Sequence, residues 1–149
     1  MIINSNNGNF NPKLSAEIIW MAWKNGDLID KLPSALIPKT KLEAYEIQKT
    51  YELFSKSSLF GWKIAATSQD GQNHIGVKNP LVGRILKETV FKSNTIIKNT
   101  KNNMSVAEPE IAFKFISDLI PKKNNYTQEE ILNAVGSMHP AIELPDSRF

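Results

Sequence analysis

A chain of 149 residues, 41% apolar and 22% charged, has the composition of one globular domain or part of one, and can bury a real core. Its formal charge is +3 and its pI about 9.1, but the lysines at 39 and 41, 98 and 101, and 122 and 123 form small groups interleaved with acids. Nucleic-acid binding needs a concentrated basic face, so that class is set aside. The lack of cysteine excludes disulfide scaffolds, thiolate metal sites and cysteine nucleophiles.

The chain opens on an Asn-rich stretch through Pro12, with neither the basic start nor the apolar core of an export signal. The run Ile18 to Trp23 is too short to span a bilayer, so a soluble cytoplasmic protein with no membrane partner is expected. Ser15 to Asn25 reads as a helix carrying Ile18, Ile19, Met21 and Ala22 and closed by Gly26. A Pro-punctuated connector runs from Asp27 to Pro38. Thr40-Lys41-Leu42-Glu43 then has the spacing of a capping box, in which threonine and glutamate satisfy free amides at a helix start. Behind it Ala44, Ile47, Tyr51 and Phe54 recur at helical intervals and predict one buried stripe. Residues 1–57 therefore form an N-terminal helical region.

Residues 58–149 are strand-rich. Leu59 to Ala65, Leu81 to Leu86 and Thr89 to Ile97 are short, β-branched or apolar, and separated by Gly, Asn and Pro. Val106 to Phe115 is the clearest strand: Val106, Glu108, Glu110, Ala112 and Lys114 alternate with Ala107, Pro109, Ile111, Phe113 and Phe115. Period-two alternation gives it an apolar face and sets both glutamates on the other. Pro109 cannot donate a ladder hydrogen bond, which places it at an edge, a bulge or the strand's beginning. Thr127 and Glu130 repeat the capping-box spacing and predict a third helix through Ile131, Leu132 and Val135, which Pro140 ends. Ala141 to Leu144 starts a further strand.

Three carboxylates carry the chemistry. Glu108, Glu110 and Glu143, the last between Ile142 and Leu144, suggest a hard-metal site, because Mg²⁺ or Mn²⁺ needs converging oxygen ligands. The competing reading is a solvated strand face on which Lys114 pairs with the glutamates. Burying Glu143 uncompensated would be costly, which favours a partner cation. Lys63, in Gly61-Trp62-Lys63-Ile64-Ala65, points away from Trp62 and Ile64. It is either an exposed lysine or a desolvated proton carrier or anion clamp. His74 and His139 bear no ligand-like spacing to the glutamates and are not expected to bind metal. There is no glycine-rich phosphate loop and no Ser/His/Asp arrangement.

Gly61-Trp62-Lys63-Ile64, Gly76-Val77 with Pro80 and Gly83, Glu108-Pro109-Glu110-Ile111-Ala112-Phe113, and His139-Pro140-Ala141-Ile142-Glu143 through Asp146-Ser147-Arg148-Phe149 occur in order. This set resembles the 2-keto-4-pentenoate hydratase and 4-oxalocrotonate decarboxylase family of the fumarylacetoacetate hydrolase superfamily. Ala44-Tyr45-Glu46-Ile47-Gln48 is similar to its N-terminal region. The resemblance implies an α+β fold, with N-terminal helices followed by the first part of a mixed β-roll whose C-terminal half is absent. It implies Glu108, Glu110 and Glu143 as ligands of Mg²⁺ or Mn²⁺, and Lys63 as the active-site lysine. The implied activity is hydration of a 2-hydroxypenta-2,4-dienoate-like acid in aromatic-compound degradation. Decarboxylation of a related 2-oxo acid and a truncated non-catalytic remnant are the alternatives. A homo-oligomer or a complementing C-terminal polypeptide is the implied partner. Three positions depart from the family pattern: Lys78 and Leu81 where acids are usual, and Ala65 where glycine is usual.

Overall fold

The computed structural model describes residues 10–98 and 101–149, and the Asn-rich leader up to residue 9 lies outside them. Its elements are α1 (Pro12–Asn25), α2 (Lys41–Phe54), β1 (Leu59–Ala65), α3 (Gln69–Ile75), β2 (Leu81–Leu86), β3 (Glu108–Phe115), α4 (Gln128–Ala134) and β4 (Val135–Glu143), with short 3₁₀ turns at Ser34–Leu36 and Lys87–Thr89. Among the described residues no helix is long and apolar enough to cross a membrane. The chain divides into two compact units, one running through Lys101 and including Arg148–Phe149, the other Asn102–Ser147.

In the first unit α1 starts earlier than its apolar pattern predicts. Asn11 accepts a 3.1 Å hydrogen bond from the Leu14 amide, and Pro12 fills the first turn, where its missing N–H costs nothing. Gly26 ends the helix at φ 78, as expected. The core forms where α1 meets α2. Trp20 is buried, its ring centroid 5.2 Å from Trp23, 6.0 Å from Tyr51 and 6.4 Å from Phe54. Ala16, Leu32, Leu36 and Ile47 are buried in the same unit. The fully buried Ser15 hydroxyl donates to the Leu36 carbonyl at 2.9 Å and so ties the 3₁₀ turn to α1. Burial pushes the Tyr51 hydroxyl up to about 12. The predicted stripe on α2 is centred on Ile47, with Tyr51 and Phe54 half-buried, but Ala44 is exposed at its margin. The Thr40–Glu43 capping box is present in both directions.

Strands β1 and β2 keep the predicted bounds and pair antiparallel, with Trp62 opposite Arg84, Lys63 opposite Gly83 and Ala65 opposite Leu81. The free edge of β2 is covered by side chains of α2. Gln48 accepts from the Arg84 amide at 3.0 Å and donates to the Val82 carbonyl at 3.3 Å, while Tyr45 Oη accepts from the Val82 amide at 3.4 Å. One glutamine thus stands in for a neighbouring strand and blunts an edge that would otherwise template pairing with another chain. Gln48→Leu keeps the volume but leaves two backbone groups unmatched. We expect a loss of about 1–2 kcal/mol in urea unfolding and faster aggregation; an unchanged midpoint would contradict this role.

One expected strand is missing from this unit, and one helix was not expected. Thr89 to Ile97 is not a strand: Thr89 Oγ1 donates to the Leu86 carbonyl at 2.8 Å, closing the 3₁₀ turn, and a second turn follows with Asn94 at φ 65. Its β-branched residues have no pleated surface to fit, and Ile96 is 93% exposed. The segment before Gly76, for which the sequence pattern predicts no element, is helix α3. It is capped by Ser68, which accepts from the Gly71 amide at 3.1 Å, and is closed by Gly76 at φ 76.

The second unit is a β3–β4 antiparallel ribbon bridged by α4. The Thr127–Glu130 capping box forms as predicted. However, α4 stops at Ala134, and β4 runs through Pro140 instead of beginning after it. Val135 and Gly136 are poor helix formers, and on a two-stranded ribbon an imino residue forfeits no necessary ladder bond. Pro109 is the second residue of β3, the strand-beginning option. A Cβ at Gly136 would collide with the Ile116 side chain, next to the register shift between Lys114 and Phe115. The predicted alternation holds, and its apolar face is open: Ile111, Phe113, Met138 and Ile142 are all more than half exposed.

Candidate metal centre

Pairing register, which alternation alone does not specify, assembles the acidic site. Glu108 lies directly opposite Glu143, and Glu110 opposite Ala141, so that all three carboxylates share one face at one end of the ribbon. One oxygen from each lies within 4.8 Å of the others. Ligand oxygens around a single octahedral Mg²⁺ are about 3–4 Å apart, a spacing that small side-chain rotations reach from here. Directly opposed like charges destabilise a ribbon, so this is an arrangement that a cation would relieve. The donor set is all carboxylate oxygen, without nitrogen or sulfur, which suits Mg²⁺ or Mn²⁺ better than softer metals. Glu110 and Glu143 are half-buried, which reduces competition from water.

The chain on either side fixes this end of the ribbon. The Asp146 carboxylate accepts from the amides of Asn103 at 2.9 Å and Met104 at 3.4 Å, and Asn102 Nδ2 donates to the Pro145 carbonyl at 2.9 Å. Asn102 Oδ1 also accepts from the Ser105 amide at 2.7 Å, holding Ser105 at φ 52. The segments entering β3 and leaving β4 are thereby clasped beside Glu108 and Glu143. Asp146 sits in the motif set, but its clasping role depends on contacts more than forty residues apart and has no local signature.

His139 is outside the carboxylate cluster, yet it shares the ribbon's polar face. It stands opposite Ala112, and its Nε2 is 2.8 Å from Ser137 Oγ. Reading Pro140 as a helix stop concealed this, because Ser137, His139, Ala141 and Glu143 then lose their common strand parity. His74 belongs to α3 in the other unit.

Lys63 also belongs to that first unit, on β1. The expected exposure pattern is inverted there. Phe60, Trp62 and Ile64 are the exposed residues, with Arg84 stacked 4.6 Å from the Trp62 ring, whereas Lys63 is half-buried on the face shared with Gly61 and Ala65. Gly83 opposite leaves room along the lysine stem, since a Cβ there would meet Lys63 Cβ at 3.5 Å. Ala65 and Leu81, two of the positions that depart from the family pattern, form the next pair on this same face. Lys78 lies in the turn before β2.

No protein-family model and no curated protein matches the sequence. Among solved structures, 4-oxalocrotonate decarboxylase from Pseudomonas putida G7, complexed with magnesium and adipate, superposes with a TM-score of 0.79 at 21% identity. The match covers 93% of this chain and 53% of that one, so the chain spans about half the length of its structural neighbour. Over that half the chain shares the neighbour's fold, with mixed helix and strand and small sheets.

Proposed function

We propose that this chain carries the metal-binding part of a divalent-metal-dependent lyase acting on 2-oxo or 2-hydroxydienoic acids, of 2-keto-4-pentenoate hydratase type. The observation that carries the reading is the convergence of Glu108, Glu110 and Glu143 on one ribbon face. They would hold Mg²⁺ or Mn²⁺, which when bound supplies Lewis-acid polarisation of the acid's carboxylate and neighbouring oxygen. Lys63 is the proposed active-site lysine, its Nζ carrying a proton or holding an anionic group. Its half-buried place beside Ala65 and Leu81 supports that role, because a partly desolvated ammonium binds anions more strongly. Leucine at 81 has no titratable group, which leaves proton movement to the lysine or to solvent. In hydration, a proton is delivered along the conjugated chain and water adds its hydroxyl at the remote carbon.

A decarboxylase is the second reading, favoured by the identity of the structural neighbour. In the same proposal residues 1–57 are the helical region and residues 58–149 begin a mixed β-roll. The exposed apolar face of Ile111, Phe113, Met138 and Ile142 supports burial against further polypeptide, in a homo-oligomer or a complementing chain.

Oxalate, a minimal chelating analogue of the 2-oxo-acid end, tests the site. Oxalate added to Mn²⁺-loaded protein is expected to displace bound water and lower the water-proton relaxation enhancement in a saturable way. Unchanged relaxation would contradict an open metal centre of this kind.

A further inference from the structure

We infer that the clasp formed by Asp146 and Asn102 is the positioning device of the metal centre. It holds the last pair of the β3–β4 ribbon closed, and so biases the three carboxylates toward a small, strictly octahedral ion over a larger one. This rests on the metal-centre reading above and adds the residues that set its ion preference.

Glu108 is the first residue of β3 and Glu143 the last of β4, so these opposed carboxylates form the terminal pair of the ladder. Among the described residues this ribbon has two strands, and no third strand supports its end. Like charges facing each other there push the strands apart. An untied end would splay and draw Glu143 away from Glu108 and Glu110. Just beyond that pair, however, the chain is tied across the gap. Asp146 Oδ1 accepts from two successive amides, Asn103 at 2.9 Å and Met104 at 3.4 Å, and Asn102 Nδ2 donates back to the Pro145 carbonyl at 2.9 Å. Asn102 Oδ1 also takes the Ser105 amide at 2.7 Å and holds that residue at φ 52, a left-handed conformation that a residue with a Cβ adopts at a cost. Every one of these bonds runs from a side chain to backbone. The tie therefore fixes where the two strands run, not where any carboxylate points.

A closed pair and a splayed pair suit different ions. Mg²⁺ lies about 2.0–2.1 Å from its oxygens and demands near-octahedral geometry, whereas Ca²⁺ accepts about 2.3–2.6 Å and irregular coordination. One oxygen from each glutamate already lies within 4.8 Å of the others. Contracting to a Mg²⁺ shell is a short step while the strands keep ladder spacing, and a long one once they splay. Ca²⁺ tolerates the wider opening. Loss of the clasp therefore weakens Mg²⁺ binding more than Ca²⁺ binding, a split that general loss of structure does not produce.

The test is displacement of Mn²⁺ from the full chain by Mg²⁺ and by Ca²⁺, in wild type and in clasp variants. Asn102→Ala alters no charge. It is expected to lower Mg²⁺ affinity about tenfold, the low end of the range for groups that hold metal ligands in place, and Ca²⁺ affinity less than about threefold. Asp146→Ala should give the same split. Asp146→Asn keeps an acceptor oxygen for the two amides, so it should retain the wild-type ratio of the two affinities, its lost charge being felt by both ions alike. By reciprocity Mg²⁺ should slow hydrogen exchange at the Asn103 and Ser105 amides of wild type, and Ca²⁺ should slow it less. Should Asp146→Ala unfold the ribbon, Asn102→Ala and the exchange rates decide the matter. Equal losses for the two ions in Asn102→Ala, or affinities it leaves unchanged, overturn this inference and leave the metal centre standing. Failure of wild type to bind any of the three ions overturns the metal centre and the inference together.

Discussion

Trp20→Ala is expected to cost roughly 3–5 kcal/mol, the range for removing a large aromatic from a packed core. Trp20 is 7% exposed, and three other aromatic rings lie within 6.4 Å of its own, so their contacts are forfeited and no neighbouring backbone can collapse into the hole. Against a total stability of about 5–15 kcal/mol, that loss removes a large share of the margin and lowers the unfolding midpoint markedly. Trp23, 36% exposed on the same helix, is the control: its alanine variant should lose far less. Urea unfolding followed by far-ultraviolet dichroism reads both. Similar losses for the two would show that the α1–α2 core is not organised around Trp20.

The second large effect has opposite signs in the presence and absence of metal. Glu143→Gln removes one of two carboxylates that face each other across the ribbon. In metal-free protein it is expected to stabilise the second unit by a few tenths of a kcal/mol up to about 1 kcal/mol, the magnitude of a relieved cross-strand repulsion. With Mn²⁺ present the same change removes a charged ligand, and affinity should fall roughly a hundredfold. Thermal melts with and without Mn²⁺ reveal the crossover: the variant melts higher than wild type without the ion and lower with it. A surface glutamate with no ligand role would give the same small difference under both conditions.

What could be read from the residues follows from the range over which each signal acts. Both capping boxes, Thr40–Glu43 and Thr127–Glu130, were legible because both partners lie within one helical turn. The bounds of β1 and β2 were legible because apolar runs end abruptly in Gly, Asn and Pro. The two glutamates of β3 share a face by alternation alone. Their meeting with Glu143 depends on a register spanning some thirty residues, which periodicity does not encode; only the resemblance to a known family's ordered motifs points to it. Local signals also misled. Thr89 to Ile97 has strand composition without a strand partner among the described residues, so it folds into local turns, with the Thr89 hydroxyl bonded to the Leu86 carbonyl. Pro140 is a helix breaker by local chemistry, yet its ring is equally at home on a ribbon that needs no amide from it. Because β4 begins at Val135, before that proline, Ser137, His139 and Glu143 share one strand parity. The Asp146 clasp and the Gln48 edge cover are both side-chain-to-backbone bonds between distant segments, and nothing near either residue announces them.

The central claim is that three carboxylates on one ribbon end form a single divalent-metal site. Titrating Mn²⁺ into the wild-type chain while following the electron paramagnetic resonance of free Mn²⁺ tests it most directly. The account predicts suppression of the free-ion signal up to one equivalent per chain, return of that signal on adding Mg²⁺, and loss of the saturable phase in a Glu108→Ala/Glu110→Ala variant. A free-ion signal that grows linearly from the first addition, or equal suppression by wild type and variant, would contradict it.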